Sequence, residues 1–578
     1  MHKLKSIISI TIILSMLLTT FTYANEDTTL TFVDVPEDHW AYNEIHKLRD
    51  LKITDGIGNN MFGLGMVITR GELAAFLVKL MKWEPISPGQ GSFLDNMDPN
   101  KWYYQPIETA LQHDVVSKEE KFRPTDPITR EEMAVMLVRT LGYKTLAEQL
   151  NSLESPFEDV SSNIGYITVA KDFGIINGIG NGLFKPNDTA KREEAAAMMM
   201  RMYKKLIQPI SELHGFYAIK SAGQAHMIKD FDSVGFGWSR LEYDGGKDEV
   251  ILNTSKANNN DYAIPQGYEG PLSMAKDNGV RKSLMVLASN NTIITTKDGS
   301  NIPLIQYVLN DAEKRSQAID VILSQVINPM DADGTLTMDG VVIDFEDMRG
   351  EALREAFNVF LKELKAELDN GGKYLYVAVH PARKHGQAYY DGYDYKAIGD
   401  MADKVILMAH DYYAKQLTEA EMDMGYTITP VSPIDEVYYA LKAITDEEKG
   451  VKDRSKIWIQ LSFDAVQWKL KEGKVINKYP YNPSYEAIQK RLVMEGVTIN
   501  YSERYQNPYA TFFDANDGTD NIIWYEDSRS IQSKIDLAKM FGIEGVSLWR
   551  LGNIPDYQED GNKKIYMDVW KRILENKR

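Results

Sequence analysis

Asp344 and Glu346 stand two residues apart at the end of an apolar run, in the stretch Asp339-Gly-Val-Val-Ile-Asp-Phe-Glu346. Val341, Val342 and Ile343 are β-branched, which favours a strand buried on both faces. Side chains alternate along a strand, so the two carboxyls share one face and Phe345 takes the other. Each negative charge raises the cost of ionising its neighbour, which biases one carboxyl toward its protonated form. A protonated Glu beside an ionised Asp is the pairing that glycoside cleavage uses.

A strand of this kind needs parallel neighbours to hold it, and the sequence offers seven. His214 to Ile219, Ser233 to Trp238 and Ser283 to Ala288 precede it. Tyr374 to Val379, Lys404 to Met408, Lys456 to Leu461 and Gly545 to Trp549 follow it. Helical stretches such as Glu351 to Asp369 and Ser530 to Phe541 lie between several of them. Eight short apolar strands alternating with helices predict a closed (β/α)8 TIM barrel over residues 213–575, with its chemistry at the C-terminal strand ends. The span is long for a barrel. The excess is placed between Asp464 and Trp524, a stretch rich in Tyr, Asn, Pro and charge, as an insertion over the active-site end.

The octapeptide resembles the signature of glycoside hydrolase family 18, Asp-Gly-x-Asp-x-Asp-x-Glu, whose members cleave chitin, chitooligosaccharides or peptidoglycan glycans. Asp339, Gly340, Asp344 and Glu346 match, while Val342 replaces the first inner Asp. Met408-Ala-His410-Asp411-Tyr412 is similar to the family's Met-x-Tyr-Asp, with His410 in the place of Tyr. The stretches Ile522 to Asp527 and Gly545 to Gly552 resemble the closing section of a spore-germination and cell-wall hydrolase branch. The resemblance implies that Glu346 protonates the glycosidic oxygen. It implies that Asp344 orients the substrate's own acetamido group as nucleophile. Asp411, Tyr412, His410 and Tyr217 are the implied substrate contacts, and Trp549 the floor under the sugar. Neither a metal nor a cofactor is expected, and the nine His residues show no metal-ligand spacing.

Before the barrel the chain repeats itself three times, an architecture signal in its own right. Phe32-Val-Asp-Val-Pro36, Phe93-Leu-Asp95 and Phe157-Glu-Asp-Val160 each open an amphipathic helical stretch. Each is followed by a second helix, opening at Thr69-Arg70-Gly-Glu72, Thr129-Arg130-Glu-Glu132 and Lys191-Arg192-Glu-Glu194. Thr before a helix caps it, and early Glu suits the helix dipole. The triplet resembles S-layer homology domains, with repeats at about 30–85, 91–145 and 155–205, and implies an all-α module over 30–205 that binds a secondary wall polysaccharide. By that resemblance Arg70, Arg130 and Arg192, with Trp40 and Trp102, are ligand contacts: Arg for a ketal carboxylate, Trp for a sugar face. The third repeat departs, with Tyr166 where Trp is expected.

The chain has 578 residues, 43% of them hydrophobic, and a formal net charge of -18. That charge argues against nucleic acid as a partner and does not favour an anionic membrane surface. It holds no cysteine, and so neither disulfide nor thiol nucleophile. Lys3, Lys5, the apolar run Ile7 to Leu18 and Thr22-Tyr23-Ala24 predict a secretory signal over 1–24, with no membrane contact after its removal. The expectation is a secreted, wall-anchored glycosidase of a Gram-positive-type bacterium. Peptidoglycan is the first choice of N-acetylated glycan and a chitin-type polymer the second. The alternative is a carbohydrate-binding or S-layer structural protein with a lectin-like barrel, against which Glu346 argues.

Overall fold

A computed structural model of the chain describes residues 31–383, 390–557 and 563–577. The expected signal over 1–24 lies outside the described residues. Two compact units are present. Among the described residues, one comprises those up to 140 with 185–200, and the other 141–184 with those from 201 onward.

The first unit is built on a cyclic arrangement of the segments that open the second helix of each repeat. The short segments ahead of the second helices hydrogen-bond in a closed triangle: Ile68 N donates to Ala190 O, Ala190 N to Ile128 O, and Ile128 N to Ile68 O. The side chains follow the same cycle. Arg70 pairs with Glu132 at 2.8 Å, Arg130 with Glu194 at 2.6 Å, and Arg192 with Glu72 at 2.5 Å. Each repeat's Arg thus reaches the Glu two residues after the next repeat's Arg. Arg70 and Arg192 also donate through Nε to the carbonyls of Phe122 and Phe62. Thr69 and Glu72 form a reciprocal cap at the start of the helix Arg70–Leu80. Glu72 therefore serves a helix cap and an ion pair at once. Glu72→Gln is expected to cost about 2 kcal/mol, because it strands the nearly buried Arg192 guanidinium. In hydrogen exchange of the full chain, this reads as roughly 30-fold faster opening of the amides at the start of the Arg192 helix.

The second unit holds the barrel. Its strands are β1 (Glu212–Tyr217), β2 (Ser233–Asp244), β3 (Arg281–Ser289), β4 (Gly340–Glu346), β5 (Tyr374–Val379), β6 (Lys404–Leu407), β7 (Ile457–Ser462) and β8 (Gly545–Trp549). They pair in parallel in chain order, and β1 closes the ring by pairing with both β2 and β8. The strand Glu249–Asn253 adds an antiparallel hairpin to β2. Alternation along β4 is as its sequence dictates. Phe345 points outward and stacks on Phe360 at 5.3 Å, from the helix Glu351–Asn370. Val342 points inward into an apolar layer with Phe216, Met285, Tyr376 and Trp458. Below that layer, at the N-terminal end, Glu212 pairs with Arg281 at 2.8 Å and with Lys404, and accepts from Trp458 Nε1. Asp339 belongs to this end too, held by Lys282 at 2.8 Å. It is a strand-start residue, remote from the acids at the other end of β4.

Between β7 and the helix Ser528–Met540 the chain forms a five-stranded antiparallel sheet. One face buries Ala510, Phe512, Ile523 and Tyr525, the other Val466, Trp468 and Trp524 with Leu417 and Val431. The expected insertion is thus an ordered sheet covered on both faces. The helix Ile164–Asp172, from the third repeat, belongs to this unit as well: Asp172 accepts from Tyr438 and pairs with Lys442 at 2.7 Å.

Candidate active site

Glu346 ends β4 at the C-terminal mouth of the barrel, and Asp344 lies one pleat deeper, only 4% exposed. Oδ1 of Asp344 has no hydrogen-bond partner within the protein. Burial raises the Asp344 carboxyl, an effect that His410 opposes. Burial also pushes Glu346 well above the ordinary range, and the charges of Asp344, Asp347 and Asp411 add to the push. Glu346 is therefore the more firmly protonated member of the pair, and Asp344, raised to about 7 by burial, the one that ionises first.

His410 lies just past the end of β6. His410 Nε2 lies 2.6 Å from Gln460 Oε1 on β7, and Nδ1 lies 3.5 Å from Asp411 Oδ2. Burial works against charging the imidazole, but Asp411 and Gln460 outweigh it and raise its pKa. Asp411 itself is held well below the carboxylate range: burial would raise it, and His410 and Lys415 prevail. Its backbone sits at φ 63°, in the left-handed region that Asp tolerates better than most residues. Lys415 completes the group, 3.5 Å from Asp411 and 3.7 Å above the Tyr413 ring.

Glu346, His410, Asp411 and Tyr412 line one cleft of about 580 Å³. The Tyr412 hydroxyl is buried without a protein partner, and Arg383 stacks on its ring at 4.7 Å. Trp549 packs edge-on to Phe216 at 5.3 Å, at the top of the apolar layer that holds Val342. Tyr217 goes elsewhere. It meets Trp238 at 6.0 Å and lines a neighbouring groove of about 550 Å³ with Asn260 and Asp261. In the first unit Trp40 and Trp102 are each 58% exposed, whereas Tyr166, on the helix Ile164–Asp172 of the second unit, is buried. Arg70, Arg130 and Arg192 lie in the ion-pair ring described above.

Three residues in or near the cleft are not singled out by the sequence. His380 follows β5 directly, stacks on Tyr390 at 3.9 Å, and is lowered to about 4, mainly by burial. Asp464 lies two residues past β7, and burial, with Asp411 nearby, raises it. Tyr262, from the loop after the Glu249–Asn253 strand, packs against the Val342 layer. For His380 and Asp464 a usable signal existed: both stand just beyond the C-terminal end of a barrel strand.

Residues 297–553 match the model of the family described as Glycosyl hydrolases family 18, and residues 31–74, 97–134 and 156–196 match the S-layer homology domain. The cortical fragment-lytic enzyme of Bacillus anthracis is 29% identical over 290 residues, 49% of this chain and 59% of that one. Its Bacillus subtilis (strain 168) counterpart is 28% identical over 222 residues, 36% of this chain and 45% of that one. An exoglucanase of Acetivibrio thermocellus is 31% identical over 182 residues, 30% of this chain and 16% of that one. The chain spans less than two thirds of the length of these curated relatives. Among solved structures, the spore cortex-lytic enzyme SleL of Bacillus cereus aligns with a TM-score of 0.46 and 22% identity, over 64% of this chain and 75% of that one.

Proposed function

We propose that this chain, which carries a family 18 glycosyl hydrolase domain and three S-layer homology domains, is a secreted cell-surface glycosidase of a Gram-positive-type bacterium. It hydrolyses β-1,4 linkages of N-acetylglucosamine-containing glycan by a retaining, substrate-assisted mechanism. The observation that carries the proposal is the carboxyl pair at the mouth of β4, with Glu346 one pleat above the buried Asp344; burial and the neighbouring acids favour the protonated form of Glu346. Glu346 gives its proton to the leaving oxygen, and Asp344 steadies the charge that develops on the substrate's acetamido group. Asp411 and Tyr412 bond that group, the Tyr412 hydroxyl being buried beside the cleft with no protein partner. Trp549 forms the floor under the sugar, and Tyr217 with Trp238 receives a sugar further along the chain. Peptidoglycan is the favoured substrate, in keeping with the cortical fragment-lytic relatives, and chitin-type polymer is the second choice. Digestion of purified walls, with identification of the new reducing sugar, is the test. Release of N-acetylglucosamine ends supports the proposal. Binding without any release leaves a lectin-like barrel instead.

Anchoring is the task of the repeats, taken as residues 30–205 ahead of a catalytic domain over 213–575. Their partner is a secondary wall polysaccharide. Trp40 and Trp102 offer exposed faces for sugar stacking. Arg70, Arg130 and Arg192 are the candidates for an anionic substituent such as a ketal carboxylate. Since each Arg already has a glutamate partner, the tryptophans make the more accessible contact. The double variant Trp40→Ala/Trp102→Ala is expected to weaken wall binding about tenfold, or roughly 1.4 kcal/mol, with hydrolysis of soluble glycan unchanged. Co-sedimentation with walls, native or stripped of their secondary polymer, measures this. Equal binding to both wall types overturns the anchor role.

A further inference from the structure

His380 follows β5 directly and lines the cleft together with Glu346, Asp411 and Tyr412. Strand pairing explains its place. β4 and β5 run parallel, with Val342 beside Tyr376 and Ile343 beside Val377. Val342 and Tyr376 both face the apolar layer inside the barrel. In that register position 380 stands level with position 346, each four residues further on and so on the same inward face. The ring is held firmly there. The Tyr395 hydroxyl donates to the His380 carbonyl at 2.7 Å and accepts from the Ala382 N–H at 2.8 Å, which pins the backbone just past the strand. Tyr390 stacks on the imidazole at 3.9 Å, and Tyr393 packs against it at 6.1 Å.

What the ring lacks is a hydrogen-bond partner. Nε2 of His380 is buried, and among the described residues no hydrogen bond reaches either ring nitrogen. His214 and His410 differ, each having one ring nitrogen tied to a side chain of the neighbouring strand, Ser547 and Gln460. A buried polar nitrogen left unpaired is costly, so a held ring with both nitrogens unanswered points to a ligand that answers them. Burial keeps the imidazole neutral, so it offers one N–H and one lone pair. Sugar hydroxyls both donate and accept and can meet either nitrogen. A carboxylate or an ammonium group would meet only one.

We infer that His380 is a substrate contact, bonding a hydroxyl of a sugar that flanks the linkage Glu346 protonates. This rests on the glycosidase proposal above. The test uses the full chain carrying Glu346→Gln, which holds glycan without cutting it, and the soluble tetramer of N-acetylglucosamine as probe. Calorimetry is expected to show about tenfold weaker binding when His380→Phe is added, the scale of one lost hydrogen bond. Phe keeps a ring against Tyr390 and removes the unpaired nitrogens, so the thermal midpoint should hold or rise. His380→Gln keeps a donor and an acceptor and should recover part of the affinity. With 15N-histidine label, the His380 ring signal, assigned by its loss in His380→Gln, should move when the tetramer is added. With Glu346 intact, His380→Phe should raise KM about tenfold and change kcat far less. A ring signal that the tetramer leaves in place, or equal affinity in both variants, overturns the inference and leaves the glycosidase standing. Weaker binding that comes with a lowered midpoint and an unmoved signal makes His380 a packing residue only. A tetramer neither bound nor hydrolysed by the wild type sinks the glycosidase, and this contact with it.

Discussion

Glu346→Gln is expected to lower glycan hydrolysis by about 100-fold or more, the scale of a lost general acid. The amide keeps the size and shape of the carboxyl at the mouth of β4 but carries no transferable proton. Binding should persist, since the cleft walls from the β5 and β6 ends are untouched. Burial, and then the charge of Asp344, keep the wild-type carboxyl protonated well above its ordinary range. Rate should accordingly fall as the medium becomes alkaline enough to strip that proton, and fall on the acid side as Asp344, which burial raises to about 7, takes one up. Loss of Asp347, which also raises Glu346, should move this alkaline limb downward. Initial rates on a soluble N-acetylated oligosaccharide, with binding followed separately by calorimetry, check both points. A Glu346→Gln protein of near wild-type rate would assign the proton to another group.

Eight barrel strands were legible because each is a short run of β-branched or aromatic residues, and such runs bury on both faces in one way only. The alternation that puts Asp344 and Glu346 together needed no structure. The first strand starts two residues earlier than expected, at Glu212, because that side chain plugs the barrel floor with Arg281 and Lys404. What sequence could not give is what ring closure gives. Gln460 lies fifty residues from His410, and only the pairing of β6 with β7 makes them neighbours. Arg192 and Glu72 are 120 residues apart, and the repeat helices alone do not reveal that the repeats close into a cycle. The sheet between β7 and Ser528 reads in sequence as an insertion because the stretch is rich in Tyr, Asn, Pro and charge. Its apolar residues divide between two buried faces, so no single clean alternation stands out.

Asp344→Asn tests the mechanism where it differs most from a two-carboxylate glycosidase. Asp344 and Glu346 project from the same face of one strand, so neither reaches the far side of a sugar held against the other. An enzyme that activates water with a second carboxylate needs that carboxylate across the ring. With both acids on one side, the attacking group must come from the substrate, and the acetamido oxygen is the nucleophile within reach. The product should then keep its anomeric configuration, and de-N-acetylated glycan should not turn over. In Asp344→Asn the proton donor remains but the charge on the closing oxazolinium ring loses its counter-ion. A loss of about 100-fold or more is expected, the scale seen when a preorganised electrostatic partner is removed. Changes in the lactyl or peptide part of a peptidoglycan substrate should alter KM more than kcat, since those groups lie away from the reacting atoms. Proton NMR of the product anomer immediately after cleavage is the decisive measurement. An inverted anomer, or equal rates on N-acetylated and de-N-acetylated glycan, would remove the substrate's amide from the reaction.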